Sequence, residues 1–135
     1  MLKLEIVTPE RKVIEAEVDS VTVPTASGEA GIMMNHAPLI SALKPGVLTV
    51  TTGSNAEKLA VSTGFVEVSN NQVSVLTDVA ETPADVDAEA AKAARDEAEK
   101  ELADNSTAEV EENEPIRERL ELANARLQVA RLRDL

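Results

Sequence analysis

The sequence predicts an α+β chain, a small β-sandwich or flattened barrel followed by an antiparallel two-helix hairpin. Two asymmetries along the 135 residues predict it. All five glycines and 13 of the 16 valines lie in residues 1–80, while residues 81–135 hold 12 of the 20 alanines and no glycine. Charge divides at the same place: residues 1–80 carry 5 basic and 9 acidic groups, net −4, and residues 81–135 carry 8 and 16, net −8. Valine punctuated by glycine suits a pleated sheet, and alanine with dense charge suits solvated helices. Two modules follow, residues 1–81 and 82–135.

Taken in order, Leu2, Leu4 and Ile6 alternate with Lys3 and Glu5, the period of a half-buried strand. Thr8-Pro9-Glu10 turns the chain. Val21 and Val23 flank Thr22, and Pro24 is expected to stop that run. Gly28 and Gly31 are expected to shape a tight loop. Pro45-Gly46 is a turn pair, Val47 to Thr51 a strand, and Gly53-Ser54-Asn55 another turn. Lys58 to Ser62, Phe65 to Ser69 and Val73 to Thr77 are further strands, the last two joined through Asn70-Asn71, since Asn tolerates positive φ. Turns about every ten residues point to a sandwich or barrel.

The second module starts at Thr82-Pro83-Ala84-Asp85, read as a helix N-terminus with a capping threonine, a first-turn proline and a dipole-complementing acid. Val86, Ala90, Ala91, Ala94, Ala98 and Leu102 form one shallow stripe, with Lys92–Asp96, Arg95–Glu99 and Asp96–Lys100 as i,i+4 pairs on the wet face. Asp104-Asn105-Ser106-Thr107 breaks the pattern. A second helix is expected from Asn113-Glu114-Pro115, with Ile116, Leu120, Ala123, Leu127 and Ala130 as its seam. Seams made mostly of alanine bury little, so the hairpin depends on the sandwich or a partner to hold it, which makes it a plausible conformational switch.

Composition excludes several functions. There is no cysteine, so disulfides, zinc–thiolate sites and cysteine nucleophiles are absent. Phe65 is the sole aromatic and the net charge is −12, which argues against nucleic acid. No apolar run approaches the roughly 18 residues of a membrane span, and the N-terminus shows no signal-peptide core, so a cytoplasmic or equivalent setting is expected. His36, the sole histidine, has no partner set for a catalytic triad; it reads as a loop histidine, a ligand, a base or a cap. Asp85, Asp87 and Glu89 have metal-like spacing but read as an acidic first helical turn, and no metal is expected. Asn105-Ser106-Thr107 fits a glycosylation sequon but reads as a polar loop. Without a resemblance, a free-standing sandwich and coiled-coil adaptor is the competing class.

The stretch Gly28-Glu29-Ala30-Gly31-Ile32-Met33-Met34-Asn35-His36-Ala37-Pro38-Leu39, continuing to Lys44-Pro45-Gly46, resembles the epsilon subunit of F-type ATP synthases (delta in mitochondrial naming). So do Val7-Thr8-Pro9-Glu10-Arg11, Val18 to Pro24, Gly64-Phe65-Val66-Glu67-Val68 and Arg126-Leu127-Gln128-Val129-Ala130. The resemblance implies a ten-strand β-sandwich and a C-terminal hairpin. It implies a non-catalytic central-stalk subunit that binds gamma and the polar loops of the c-ring, at the cytoplasmic face of a bacterial plasma membrane or the stromal face of a thylakoid. Membrane association would arise only through the complex. The hairpin would extend along gamma, meet the alpha and beta subunits and inhibit ATP hydrolysis.

The same resemblance carries residue roles. A loop of Glu29, Gly31, Ile32, Asn35 and His36 would meet the c-ring or gamma, with Glu29 foremost because a charged residue at a turn should be exposed. Arg117, Arg119, Arg126, Arg131 and Arg133 would form the inhibitory helix, drawn to an acidic loop on beta. Cations near a helix C-terminus also have an ordinary reading, since they complement its dipole. ATP-binding members carry an I/L-D-x-x-R-A motif. Here Val86-Asp87-Ala88-Glu89-Ala90-Ala91 keeps Asp87 but has Ala90 at the arginine, and Leu122 replaces a further arginine four residues before Arg126. Losing two phosphate-side cations in an acidic segment predicts weak or absent ATP binding, and no cofactor is expected.

Overall fold

Alternation builds the first half of the chain. In β1 (Leu2–Val7) the side chains of Leu2, Leu4 and Ile6 are fully buried while Lys3 faces solvent. The computed structural model describes residues 1–106 and 109–134, so Thr107 of the expected polar loop and sequon lies outside the described residues. Nine more strands follow: β2 (Lys12–Val18), β3 (Ser20–Thr25), β4 (Gly28–Met33), β5 (Leu39–Leu43), β6 (Gly46–Thr52), β7 (Asn55–Val61), β8 (Gly64–Ser69), β9 (Gln72–Thr77) and β10 (Ala80–Glu81). They form one ladder in the order β10-β7-β6-β3-β5-β8-β9-β1-β2, with β4 paired to β3. Among the described residues only β1 and β9 run parallel. The inward rows meet in a core that includes Leu2, Leu4, Ile6, Leu48, Leu59 and Val75, each worth roughly 1.5–3 kcal/mol of burial.

Two expectations for this half are corrected. Pro24 does not end its strand. β3 pairs with β6 only through Thr22 and with β5 only at Thr25, so on that side Pro24 falls between two neighbours and faces no ladder partner. A proline's missing N–H costs least at such a gap. Pro24 is buried, and a Cβ on Gly46 would come within 3.0 Å of its ring, so Gly46 is needed for close approach. Gly28 does serve a turn, with φ +115°, but Gly31 lies in mid-strand opposite Thr22 with no neighbour near its missing side chain. The expected loop is largely β4. Asn70 and Asn71 close the β8–β9 hairpin with φ 51° and 60°.

In the second half, α1 (Ala88–Asp104) begins later than expected. The Asp85 carboxylate accepts from the Thr82 N–H (3.2 Å) and hydroxyl (2.9 Å), and this local turn competes with helix. Asp87 is the N-cap instead, accepting from the Ala90 N–H at 3.0 Å. The next helix, α2 (Val110–Ala130), begins earlier than expected and holds Pro115 inside it. Asn113 is buried, and its Nδ2 donates to the Asn105 carbonyl at 3.2 Å, which secures the turn before the proline against the end of α1. A short 3₁₀ turn, Arg131–Asp134, ends the described chain.

The α2 seam is also partly different. Ile116 and Ala123 are buried, but Leu120 and Leu127 are only half-buried. A second stripe, Ala125 and Val129, joins Ala130, Ala60 and Val86 in a small cluster that docks α2 on the sandwich. A seam for one partner helix could not account for that stripe, because α2 packs against α1 on one side and β6–β7 on another. On the wet face Arg95 pairs with Asp96 (3.1 Å) and Glu99 (3.6 Å). The expected Lys92–Asp96 and Asp96–Lys100 pairs are absent among the described residues.

Candidate functional site

The residues expected to form one contact loop are split by β4. Glu29 is exposed and sits opposite Pro24, beside the turn at Ala26 and Ser27. Asn35 and His36 lie past the other end of the strand. At about 3.3 Å per residue the six steps from Glu29 to Asn35 cover roughly 20 Å, so the two groups occupy opposite ends of the sandwich. Ile32 is fully buried in the core and presents nothing to a partner, a correction that follows from strand parity.

At the Asn35 end several turns converge. Asn35 has φ 65°, and its N–H donates to Asn71 Oδ1 at 2.6 Å, joining this loop to the β8–β9 hairpin. The His36 N–H donates to the Met33 carbonyl (3.2 Å), and His36 Nδ1 lies 2.7 Å from the Ala37 carbonyl. The Gly53 N–H donates to Asp19 Oδ2 at 2.6 Å, which ties the β6–β7 turn to the same end. Met33 is 66% exposed and Met34 48%, so adaptable thioether side chains cap a rigid set of turns.

A second feature was missed from the sequence. Across β5, β8, β9 and β1 the register aligns Ala42 with Phe65, Phe65 with Leu76, and Leu76 with Val7. Phe65 is 60% exposed, Leu76 51% and the nearby Ile40 74%. Parity carried the signal. Val66 and Val68 take the inward positions of β8, and Val73 and Val75 those of β9, which leaves Phe65 and Leu76 pointing outward. An outward apolar row on an otherwise satisfied sheet marks an interaction surface.

The hairpin is docked on the sandwich, and Arg126 and Arg133 hold its end there. Arg126 Nε lies 2.5 Å from Glu81 Oε1, both side chains being mostly buried. Arg133 donates to the Val86 carbonyl at 2.9 Å, Arg119 pairs with Glu101 between the helices, and Arg117 donates to the Val110 carbonyl at 3.3 Å. Arg131 is exposed. Arg11 reaches Asp85 at 3.5 Å and ties the linker back to the sandwich. The Thr82 N–H and hydroxyl, with help from Arg11, hold the Asp85 carboxyl below its ordinary range.

Residues 1–83 match the family described as ATP synthase, delta/epsilon chain, β-sandwich domain. The chain belongs to the ATP synthase delta/epsilon family. It is 44% identical over 124 residues to the ATP synthase epsilon chain of Magnetococcus marinus, covering 92% of this chain and 90% of that one. Against the epsilon chain of Desulforamulus reducens identity is 50% over 100 residues, 74% of this chain and 76% of the relative. The fold is shared with a chain in the Euglena gracilis mitochondrial ATP synthase, solved as an OSCP/F1/c-ring assembly. There the TM-score is 0.75 at 24% identity, covering 97% of this chain and 81% of that one.

In this delta/epsilon chain Asp87 and Arg126 both have structural partners. Asp87 caps α1, and Arg126 neutralises Glu81. The hollow beside Arg126 is lined by Glu10, Asp78, Glu81 and Asp85 against Arg11 and Arg126, a net negative surface. Asp85 and Asp87 are committed to separate turns, and no group of three or more metal-binding side chains occurs among the described residues. No helix among them is long and apolar enough to cross a membrane.

Proposed function

We propose that this chain is the epsilon-type subunit of the central stalk of a rotary ATP synthase, a non-catalytic part that transmits rotation. The observation that carries the reading is the in-register apolar row of Ala42, Phe65, Leu76 and Val7 on a sheet whose inner face already has a complete core. We assign this row to gamma. The end bearing Met33, Met34, Asn35 and His36 is the contact for the polar loops of the c-ring; Glu29, at the opposite end, is reassigned from the c-ring to the gamma side. The subunit sits at the cytoplasmic face of a bacterial plasma membrane, held there by the complex.

Regulation resides in the hairpin. The cluster that docks α2 contains mainly alanine, with Val86 and Val129 as its larger buried members, so release from the sandwich costs little. Release frees Arg126 and Arg133 from Glu81 and the Val86 carbonyl, and the extended helices then reach alpha and beta and inhibit hydrolysis. A helix of 21 residues is about 30 Å long, a useful reach once extended. ATP does not control this step, because Ala90 and Leu122 stand where nucleotide-binding members have arginine.

Binding of the full chain to gamma tests the assignment. Phe65→Ser should weaken that binding by tenfold or more while leaving the fold intact, since Phe65 lies outside the core. Undiminished affinity would refute the face assignment.

A further inference from the structure

The seam that docks the arm on the sandwich continues into a hollow of about 400 Å³. In β7 the side chains alternate. Leu59 and Val61 turn into the main core, while Ala60 joins Ala125 and Val129 of α2. By that parity Ala56 and Lys58 share the face of Ala60, and they form the floor of the hollow. Thr82 and Pro83 of the linker line one side, and Leu132, in the 3₁₀ turn that ends the arm, lines another. Glu57 also borders the hollow, but its parity is that of Leu59.

The chemistry of the lining is unlike the rest of this acidic chain. Lys58 is the sole cation lining the hollow among the described residues. It is half-buried, and its Nζ donates to Thr49 Oγ1 at 3.1 Å. It has no ion-pair partner among the described residues, although the chain carries 25 acidic groups against 13 basic ones. An ammonium has three donors, so the threonine leaves two for an anion. Thr82 adds no donor, because its N–H and hydroxyl are both committed to Asp85. The remaining side chains, Ala56, Pro83 and Leu132, are apolar. One cation facing apolar walls suits a single negative charge on an apolar body. A polyanion would find no second cation there, in a chain of net charge −12. The volume lies within the range of small-molecule sites.

We propose that this hollow binds a small monocarboxylate, its carboxylate on Lys58 and its apolar body against Pro83 and Leu132. The site does not depend on what the sandwich binds. It has a regulatory consequence. Leu132 belongs to the arm, so the hollow is complete only while the arm is docked. A ligand that needs that wall binds the docked state in preference to the released one, and by linkage it holds the arm down.

The test is titration calorimetry on the full chain at neutral pH with octanoate, octanamide and octylamine, which share an alkyl body and differ in charge. Octanoate should bind with a Kd of about 1 mM or tighter. The neutral amide and the cationic amine should bind at least about tenfold more weakly. Lys58→Met should weaken octanoate binding by about tenfold and leave octanamide unchanged. Lys58 lies outside both apolar clusters, and wild-type amide exchange in β1, β8 and β9 checks that the variant is folded. With octanoate at about nine times its Kd, α2 amides should exchange about tenfold more slowly, since 1 + [L]/Kd is then about ten. Leu132→Ala should shrink that slowing. Failure of octanoate to bind the wild-type chain overturns the inference, as does equal binding of the three probes or undiminished binding to the folded Lys58→Met variant. Octanoate binding that leaves α2 exchange unchanged sinks the coupling to the arm.

Discussion

Replacing Val129 by Ala tests how lightly the arm is held. Val129 is fully buried between α2 and β7, and its cluster is otherwise Ala60, Ala125, Ala130 and Val86. The substitution removes two carbons, worth about 0.8 kcal/mol each by transfer, with a further cost for the void where the alanine neighbours cannot close in. The loss is therefore about 1.5–2.5 kcal/mol. It falls on docking rather than on the main core, which lies on the other side of the sheet. Since about 1.4 kcal/mol is a factor of ten, the released fraction should rise roughly 10- to 60-fold. Hydrogen exchange resolved by peptide measures this directly: α2 amides should exchange faster by that factor while β1, β8 and β9 keep wild-type protection. Unchanged exchange in α2, or a uniform rise across sheet and helices, would refute the view that this small cluster sets the docking equilibrium.

A Cβ on Gly64 would lie 1.9 Å from the Leu76 carbonyl oxygen, so Gly64→Ala should cost about 3 kcal/mol or more and lower the Tm by roughly 10 °C or more; an unaltered thermal melt would contradict that packing. Asn113 Oδ1 is buried with no hydrogen-bond partner among the described residues, and Asn113→Leu should therefore stabilise the hairpin by about 1 kcal/mol, seen as slower exchange in α1 and α2; faster exchange would mean that the bond to Asn105 matters more. The Asp85 carboxyl is held below its ordinary value of 3.8 by the Thr82 N–H, the Thr82 hydroxyl and Arg11. A depressed folded pKa stabilises the linker above the unfolded value, and that contribution is lost as pH falls through the folded one. The Thr82 amide resonance should accordingly titrate with a midpoint below 3.8, and a midpoint at or above it would remove the assignment.

Much of the sheet was legible because burial imposes a period of two. The runs around Leu4, Val50, Val66 and Val75 needed no knowledge of their partners to be read as strands. The segments that were not legible have their partners far away in sequence. Gly28–Met33 looks like a loop, since its glycines have weak strand preference, yet it is fixed by a six-residue ladder with β3. Pro24 reads as a stop until β3 is seen to change neighbours beside it.

The candidate site divided in the same way. Ile32 entered the expected contact set because it sits among exposed residues in sequence, and strand parity sends it to the core. Phe65 and Leu76 are eleven residues apart and become one surface only through the β8–β9 register. Glu114, Glu118 and Glu121 read as an ordinary wet helix face until α2 docks and turns them toward that surface.

By itself the sequence determined a valine-rich sheet module, an alanine-rich helical arm and the acidic balance of both, because period, propensity and charge are local or additive. The tertiary structure alone decided which apolar side chains stay outside, which end of the sandwich each turn joins, and that Arg126 and Arg133 hold the end of the arm against Glu81 and the Val86 carbonyl. Those outcomes depend on register and docking, where residues distant in the chain compete for the same partners.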